Sequence, residues 1–254
     1  MSERAGAAFA AKAGAPTLAA LRAMTPEALI KAQPPQSLTW PIIDGKIVPG
    51  DVTALYRAGR QIDVPILLGW NSAEGVLFAR LQSKAAFEKG LQDDYGPLAD
   101  RVRALYPVAD DASELTAAQT MFGDVGFGWP NWSLAEAQIR TGKAPVYVYH
   151  FDQPPPRASA YPFTGKGAFH ADDLAFVFGT HPDNWPAGDQ TVSALMQDYW
   201  VNFAKTGNPN GGQAPAWPPY ARGRRVLWFQ NGTAQPGPVP REGELKQLDE
   251  LVGG

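Results

Sequence analysis

Two short loops carry the residue types that proton-transfer chemistry needs. In GAFHADDLAFVFG, residues 167–179, His170 follows a turn of small residues and precedes an apolar run; it is one of three histidines in the chain. In GWNSAEG, residues 69–75, Glu74 stands just past another apolar run. An imidazole can take a proton from a hydroxyl nucleophile and return it to a leaving group. A carboxylate on its second nitrogen fixes the tautomer and stabilises the imidazolium. Taken singly, a glutamate in such a turn is usually a surface charge, and a lone histidine is more often structural than catalytic. The two gain weight together because both loops follow strand candidates. In open α/β sheets, sites form outside the carboxyl ends of the strands.

The elements that must position them are legible in part. VPILLGW, residues 64–70, is a nearly continuous apolar run, the pattern of a strand covered on both faces in a parallel sheet. APVYVYHF, residues 144–151, is a second strand and RVLWF, residues 225–229, a third. Residues 2–32 read as two or three short helices, with Thr25 as an N-cap and Pro26 at the first helical position. PPQSLTWPIIDGKIVPG is expected to be loop and short extended structure, and residues 76–141 mainly helical, with Pro130 opening a helix that carries Trp132, Ala135 and Ile139 on one side. Across 191–205, Val192, Leu195, Met196, Tyr199, Trp200 and Phe203 make one apolar face before a stop at Gly207. GELKQLDEL is a closing helix. The proline-rich loop QPPPRASAYPFTGKG delivers His170. Strands alternating with helices indicate an α/β fold. Three strands make a poor sheet for it, so part of a sheet is expected to be missing.

Composition removes several functions. A net charge of −3 over 254 residues argues against nucleic acid and anionic membrane surfaces as partners. The absence of cysteine excludes disulfides, thiolate metal sites and cysteine nucleophiles. No histidine pair has metal-ligand spacing, so no metal is expected. No apolar stretch reads as a signal peptide or a membrane span; the pattern is that of a soluble chain and leaves the compartment open. His150 reads as a core or surface residue of its strand, and His181 as solvated. Asp172 and Asp173 are expected to point apart and cap the segment that follows. Ser72, two residues from Glu74, lacks the strand–turn–helix setting of a nucleophile. Trp70, Phe127, Trp129, Phe169 and Trp185 are candidates for an apolar substrate pocket, with ordinary core packing the competing reading for at least half of them.

VPILLGWNSAEGVLF, GKAPVYVYHFDQPPP, GAFHADDLAFVFG and MQDYWVNFAKTGNPNG followed by PAWPPY together resemble the type-B carboxylesterases, the cholinesterase-like branch of the α/β-hydrolases, and bacterial members above all. The likeness runs nearly end to end. It implies cofactor-free hydrolysis of carboxylic esters by a Ser–Glu–His triad. Glu74 matches the family's acid and His170 its histidine, and the 170 − 74 = 96 residues between them are of a length the family uses for a helical cap, here residues 76–143.

The chain also departs from the pattern. The family's histidine is usually followed by Gly, any residue and Glu; here Ala171, Asp172 and Asp173 follow. No G-x-S-x-G elbow and no Gly-rich oxyanion motif occurs in the chain. The resemblance is thus to the C-terminal part of such an enzyme, a partial α/β-hydrolase fold over residues 1–254 with the nucleophile-bearing half absent. An N-terminal esterase half, or self-association, is the expected protein partner. Two alternatives stand beside this reading: a non-catalytic binding or adhesion module of esterase fold, and a truncated product without function.

Overall fold

The computed structural model describes residues 2–33, 41–157 and 167–252. They form two compact units, Met1–Ala54 and Leu55–Gly254. In the first, α1 (Ser2–Lys12), α2 (Leu18–Ala23) and α3 (Pro26–Ala32) follow one another. Thr17 and Thr25 cap α2 and α3 by accepting backbone N–H groups, and Pro26 stands in the first turn of α3 as the sequence predicts. PPQSLTW, residues 34–40, and much of the proline-rich loop, residues 158–166, lie outside the described residues. α4 (Val52–Arg57) follows the first three helices.

The second unit holds a four-stranded sheet in the order β1 (Ile66–Asn71), β2 (Val146–Phe151), β3 (Val226–Gln230), β4 (Thr233–Gly237). β1, β2 and β3 are parallel, and β4 runs antiparallel to β3. Between β1 and β2 lie α5 (Lys84–Tyr95), α6 (Ala99–Leu105), α7 (Asp111–Gly123) and α8 (Trp129–Thr141). α9 (Asp173–Val177) and α10 (Ala187–Thr206) separate β2 from β3, and α11 (Glu242–Val252) follows β4.

Strand alternation divides the core between the two faces. Tyr147, Phe151, Leu227 and Phe229 point to one face, where Val192, Met196 and Tyr199 of α10, Phe176 of α9 and Trp217 meet them. Val146, Val148, Val226 and Trp70 point to the other, against Trp132 and Ala135 of α8 and Leu245 of α11. The apolar face read on α10 is therefore the face that packs. Its helix ends at Gly207, whose φ of 74° closes a left-handed cap. A third cluster joins Phe87 and Leu91 of α5, Val102 of α6 and Ala117 and Ala118 of α7.

One sequence expectation needs correction. The sheet has a fourth strand. TAQPG lacks the β-branched or aromatic run that marks a strand, and Pro236 argues against a central one. It pairs at the sheet's edge because Asn231 and Gly232, at φ 52° and 74°, make a tight left-handed turn after β3. Pro130 stands in the first turn of α8, as expected, but the helix is entered without a break. α7 runs into α8 through a π-helical turn, Asp124–Gly128, in which the Trp129 N–H reaches back to the Asp124 carbonyl. The widened turn lets the helical path continue past Pro130, which has no N–H to give it.

Candidate active site

β1 and β2 end side by side, Asn71 opposite Phe151, and each releases one of the two loops. β1 runs into a 3-10 turn, Glu74–Leu77, whose first residue is the buried Glu74. α7 crosses hard against this turn: a Cβ on Gly75 would stand 1.9 Å from the Gln119 carbonyl oxygen. Only glycine permits that approach, which presses the acid loop toward the sheet. After β2, the chain returns at Gly167 and places His170 beside Glu74.

The two side chains meet. His170 Nδ1 lies 2.8 Å from Glu74 Oε2, with the imidazole side chain 45% exposed and the carboxylate 6%. The other carboxylate oxygen accepts the Asn71 backbone N–H at 2.8 Å. Burial raises the Glu74 carboxyl above its ordinary value, opposed by the Asn71 N–H and by His170. With the carboxylate ionised, the shared hydrogen belongs to Nδ1. The neutral ring then keeps Nε2 as a base, and Nε2 makes no hydrogen bond among the described residues.

The His170 loop is tied down on every side. Ala73 N–H donates to the Ala168 carbonyl at 2.8 Å, and Ser72 Oγ accepts from Ala168 N–H at 3.0 Å. Ser72 is thus a strut between loops and has no hydrogen bond to His170. Asn71 Nδ2 donates to the Phe169 carbonyl at 2.6 Å and to Asp173 Oδ1 at 3.2 Å. Tyr149 of β2 donates its hydroxyl to Asp173 Oδ2 at 3.0 Å. Asp172 accepts from Arg157 and from Phe169 N–H. The adjacent aspartates do point apart, but the capping role expected of them is not what they do. Asp172, at the N-cap position of α9, makes no side-chain capping bond, because the loop's own N–H and Arg157 claim its carboxylate. Ala171, where the family usually has Gly, sits at φ 69°, a left-handed conformation that a Cβ disfavours.

The candidate pocket aromatics separate. Phe127, carried by the π-helical turn, stacks obliquely on His170 with ring centroids 4.8 Å apart. Phe78 meets the same ring edge-on at 5.3 Å and stacks on Phe122 at 4.9 Å. Trp129 turns away and donates its indole N–H to Asp249 at 3.1 Å. Phe169 is buried, with the Arg157 guanidinium 3.9 Å above its ring. Trp70 packs edge-on to His150 and lines a cavity of about 330 Å³ behind Glu74, shared with Gln119, Asp124 and Arg241. Trp185 packs against Phe176 and His181. His150 is a core residue, and His181 is half-buried by its stack on Trp185. The sequence reading missed Asn71, Asp173, Phe78 and Phe122. Asn71 lay in plain view three residues before Glu74. Phe78 and Phe122 are brought together only by the crossing of α7, and no local pattern announces that.

A profile described as the carboxylesterase family matches residues 7–242. The chain belongs to the carboxylesterase family. It is 35% identical to the bile salt-activated lipase of Bos taurus over 212 residues, covering 71% of this chain and 34% of that protein. The para-nitrobenzyl esterase of Bacillus subtilis (strain 168) is 32% identical over 192 residues, which is 71% of this chain and 37% of the esterase. A solved structure titled PNB esterase superposes with a TM-score of 0.74 at 28% identity over 95% of this chain and 53% of that one. The chain thus spans about a third of the length of these curated relatives and about half of the solved esterase. As a carboxylesterase-family chain it has a partial α/β-hydrolase fold, with the site loops at the carboxyl ends of its parallel strands. Among the described residues no helix is long and apolar enough to cross a membrane, and no group of three or more metal-ligating side chains occurs.

Proposed function

We propose that this chain supplies the acid and the base of a carboxylic ester hydrolase. The observation that carries the reading is the 2.8 Å contact of His170 Nδ1 with Glu74, which leaves Nε2 unengaged. The nucleophilic serine and the oxyanion-binding N–H groups come from polypeptide outside these 254 residues, seated along β1. In the assembled site, Nε2 of His170 takes the serine proton as the hydroxyl oxygen attacks the ester carbonyl. Glu74 stabilises the imidazolium. The imidazolium then gives its proton to the departing alkoxide, and an acyl-serine remains. Water attacks the acyl-serine with His170 again as base, releasing the acid and restoring the serine. Phe127, with Phe78 and Phe122 beside it, forms the apolar wall next to the reacting carbon. Trp70 and Phe169 support the two loops from within, and Trp129 anchors the base of α8. Residues 76–143 act as the helical cap over this wall. No cofactor takes part.

The test joins this chain, by fusion or co-expression, to the G-x-S-x-G-bearing part of the para-nitrobenzyl esterase. Alone, the chain should hydrolyse a p-nitrophenyl acyl ester no faster than its His170→Ala variant and should not be labelled by a fluorophosphonate. The assembled protein should gain hydrolysis, with Glu74→Gln costing on the order of 10⁴-fold in turnover, since the histidine then loses its proper tautomer. Stoichiometric labelling of a serine in this chain, or assembled activity indifferent to His170, would overturn the proposal.

A further inference from the structure

One side chain holds both loops at once. Asn71 is the last residue of β1, is 3% exposed, and lies opposite Phe151 at the end of β2. Its backbone N–H orients the Glu74 carboxylate. Its amide group spends its hydrogens on the other loop, at the Phe169 carbonyl (2.6 Å) and at Asp173 (3.2 Å). The Phe169 carbonyl belongs to the peptide unit that enters His170. On the far side of the histidine, Ala171 is held at φ 69°. The imidazole therefore hangs between a carbonyl clamped by Asn71 and a strained residue that must be held in place. Asp173, in turn clamped by Tyr149 from β2, secures the second amide hydrogen.

We infer that Asn71 is a positioning residue of the hydrolytic site: its side-chain amide fixes the Phe169–His170 peptide plane and so aims Nδ1 at Glu74. The inference rests on the proposed acid–histidine reading and adds a residue to it. The other ties between the loops, Ala73 to Ala168 and Ser72 to Ala168, end two residues short of His170 and cannot set its plane. A buried amide with these bonds is also costly to replace. An apolar side chain there takes from the Phe169 carbonyl its 2.6 Å donor, leaves it with the Asp172 N–H at 3.1 Å inside its own loop, and removes its bond to β1. A carboxylate there sets an acceptor against an acceptor.

The test is imidazole ¹⁵N spectroscopy on the whole chain, with His170 assigned through His170→Gln. In the wild type, the neutral ring should be the Nδ1–H tautomer. In Asn71→Leu and in the isosteric Asn71→Asp, that tautomer should be lost as the dominant form, and the ring should revert to the Nε2–H form that a free imidazole prefers. Val102→Ala, in the cluster of α5, α6 and α7, should lower stability and leave the tautomer unchanged. A wild type lacking the Nδ1–H form would overturn the acid–histidine pair and this inference together. A wild type that has it, with Asn71 variants that keep it, would overturn the inference alone. So would loss of cooperative folding in both variants, which would make Asn71 a residue of fold stability rather than of aim.

Discussion

The two edges of the sheet are finished differently. At one, β3 turns through Asn231-Gly232 and is closed by β4, whose Pro236 suits an outermost strand. At the other, β1 has β2 on one side and no strand among the described residues on its far side. β2 is buried at every position but Tyr149, whereas in β1 only Trp70 and Asn71 are buried. Yet β1 is the more uniformly apolar of the two outer strands, and Glu74 hangs from its end. The site thus stands at the unfinished edge. Its half-exposed neighbours, Phe78 and Phe122, are large apolar side chains left near water. A closed edge terminates a sheet, and an open apolar one asks for a partner.

The largest expected contrast between the edges is in association. The isolated chain should sediment as oligomers or aggregates through β1, and Ile66→Lys should shift it toward monomer, while a Lys on β4 should change nothing. A monodisperse wild-type monomer with the stability of an ordinary mesophile domain, about 5–15 kcal/mol, would break the comparison. Next in size, Phe151→Ala on β2 should cost roughly 3–5 kcal/mol in urea unfolding, as for a fully buried aromatic. Leu68→Ala on half-exposed β1 should cost about half of that. Equal losses would mean that β1 is as well covered as β2.

A third contrast uses pH. His150 lies in β2 between Trp70 and Trp228, with ring centroids 5.6 and 4.4 Å away, and its buried Nδ1 has no hydrogen-bond partner among the described residues. Burial lowers its pKa from 6.5 to about 4. A depressed base favours the folded state while neutral, so its contribution is complete above 6.5. It is lost as pH falls from there to about 4, a change of roughly 3 kcal/mol. His150→Leu should flatten the stability profile in that window, and an unchanged slope would show that His150 gains protons as easily folded as unfolded. The smallest effect concerns Ala171. Its left-handed backbone costs roughly 1–2 kcal/mol, partly offset in glycine by the entropy of a freer unfolded chain. Ala171→Gly should therefore stabilise the chain by about 1 kcal/mol or less; destabilisation would mean that the Ala171 methyl makes compensating contacts.

The sequence by itself determined the periodic elements and singled out Glu74 and His170, the two side chains that the structure brings within 2.8 Å. The apolar face of α10, the stop at Gly207, the cap at Thr25 and the parallel strands β1 and β2 all rest on local patterns, and local patterns act over a few residues. Glu74 and His170 were legible because each sits in a motif at a strand end. Even β4 had its signal, the Asn-Gly turn, though TAQPG itself reads as loop. Only the tertiary structure decided what touches what. The passage of α7 into α8 through a π-helical turn depends on how the two helices pack, and it is that turn which lays Phe127 on His170. Phe78 and Phe122 become neighbours because Gly75 lets α7 come close. Asp172 and Asp173, alike in the chain, took different partners on opposite sides of one loop. The physical reason is range: helix and strand periodicity is written between neighbours, whereas the bonds of Asn71 to Phe169 and Asp173 join residues about a hundred positions apart, and those are settled only when the sheet is built.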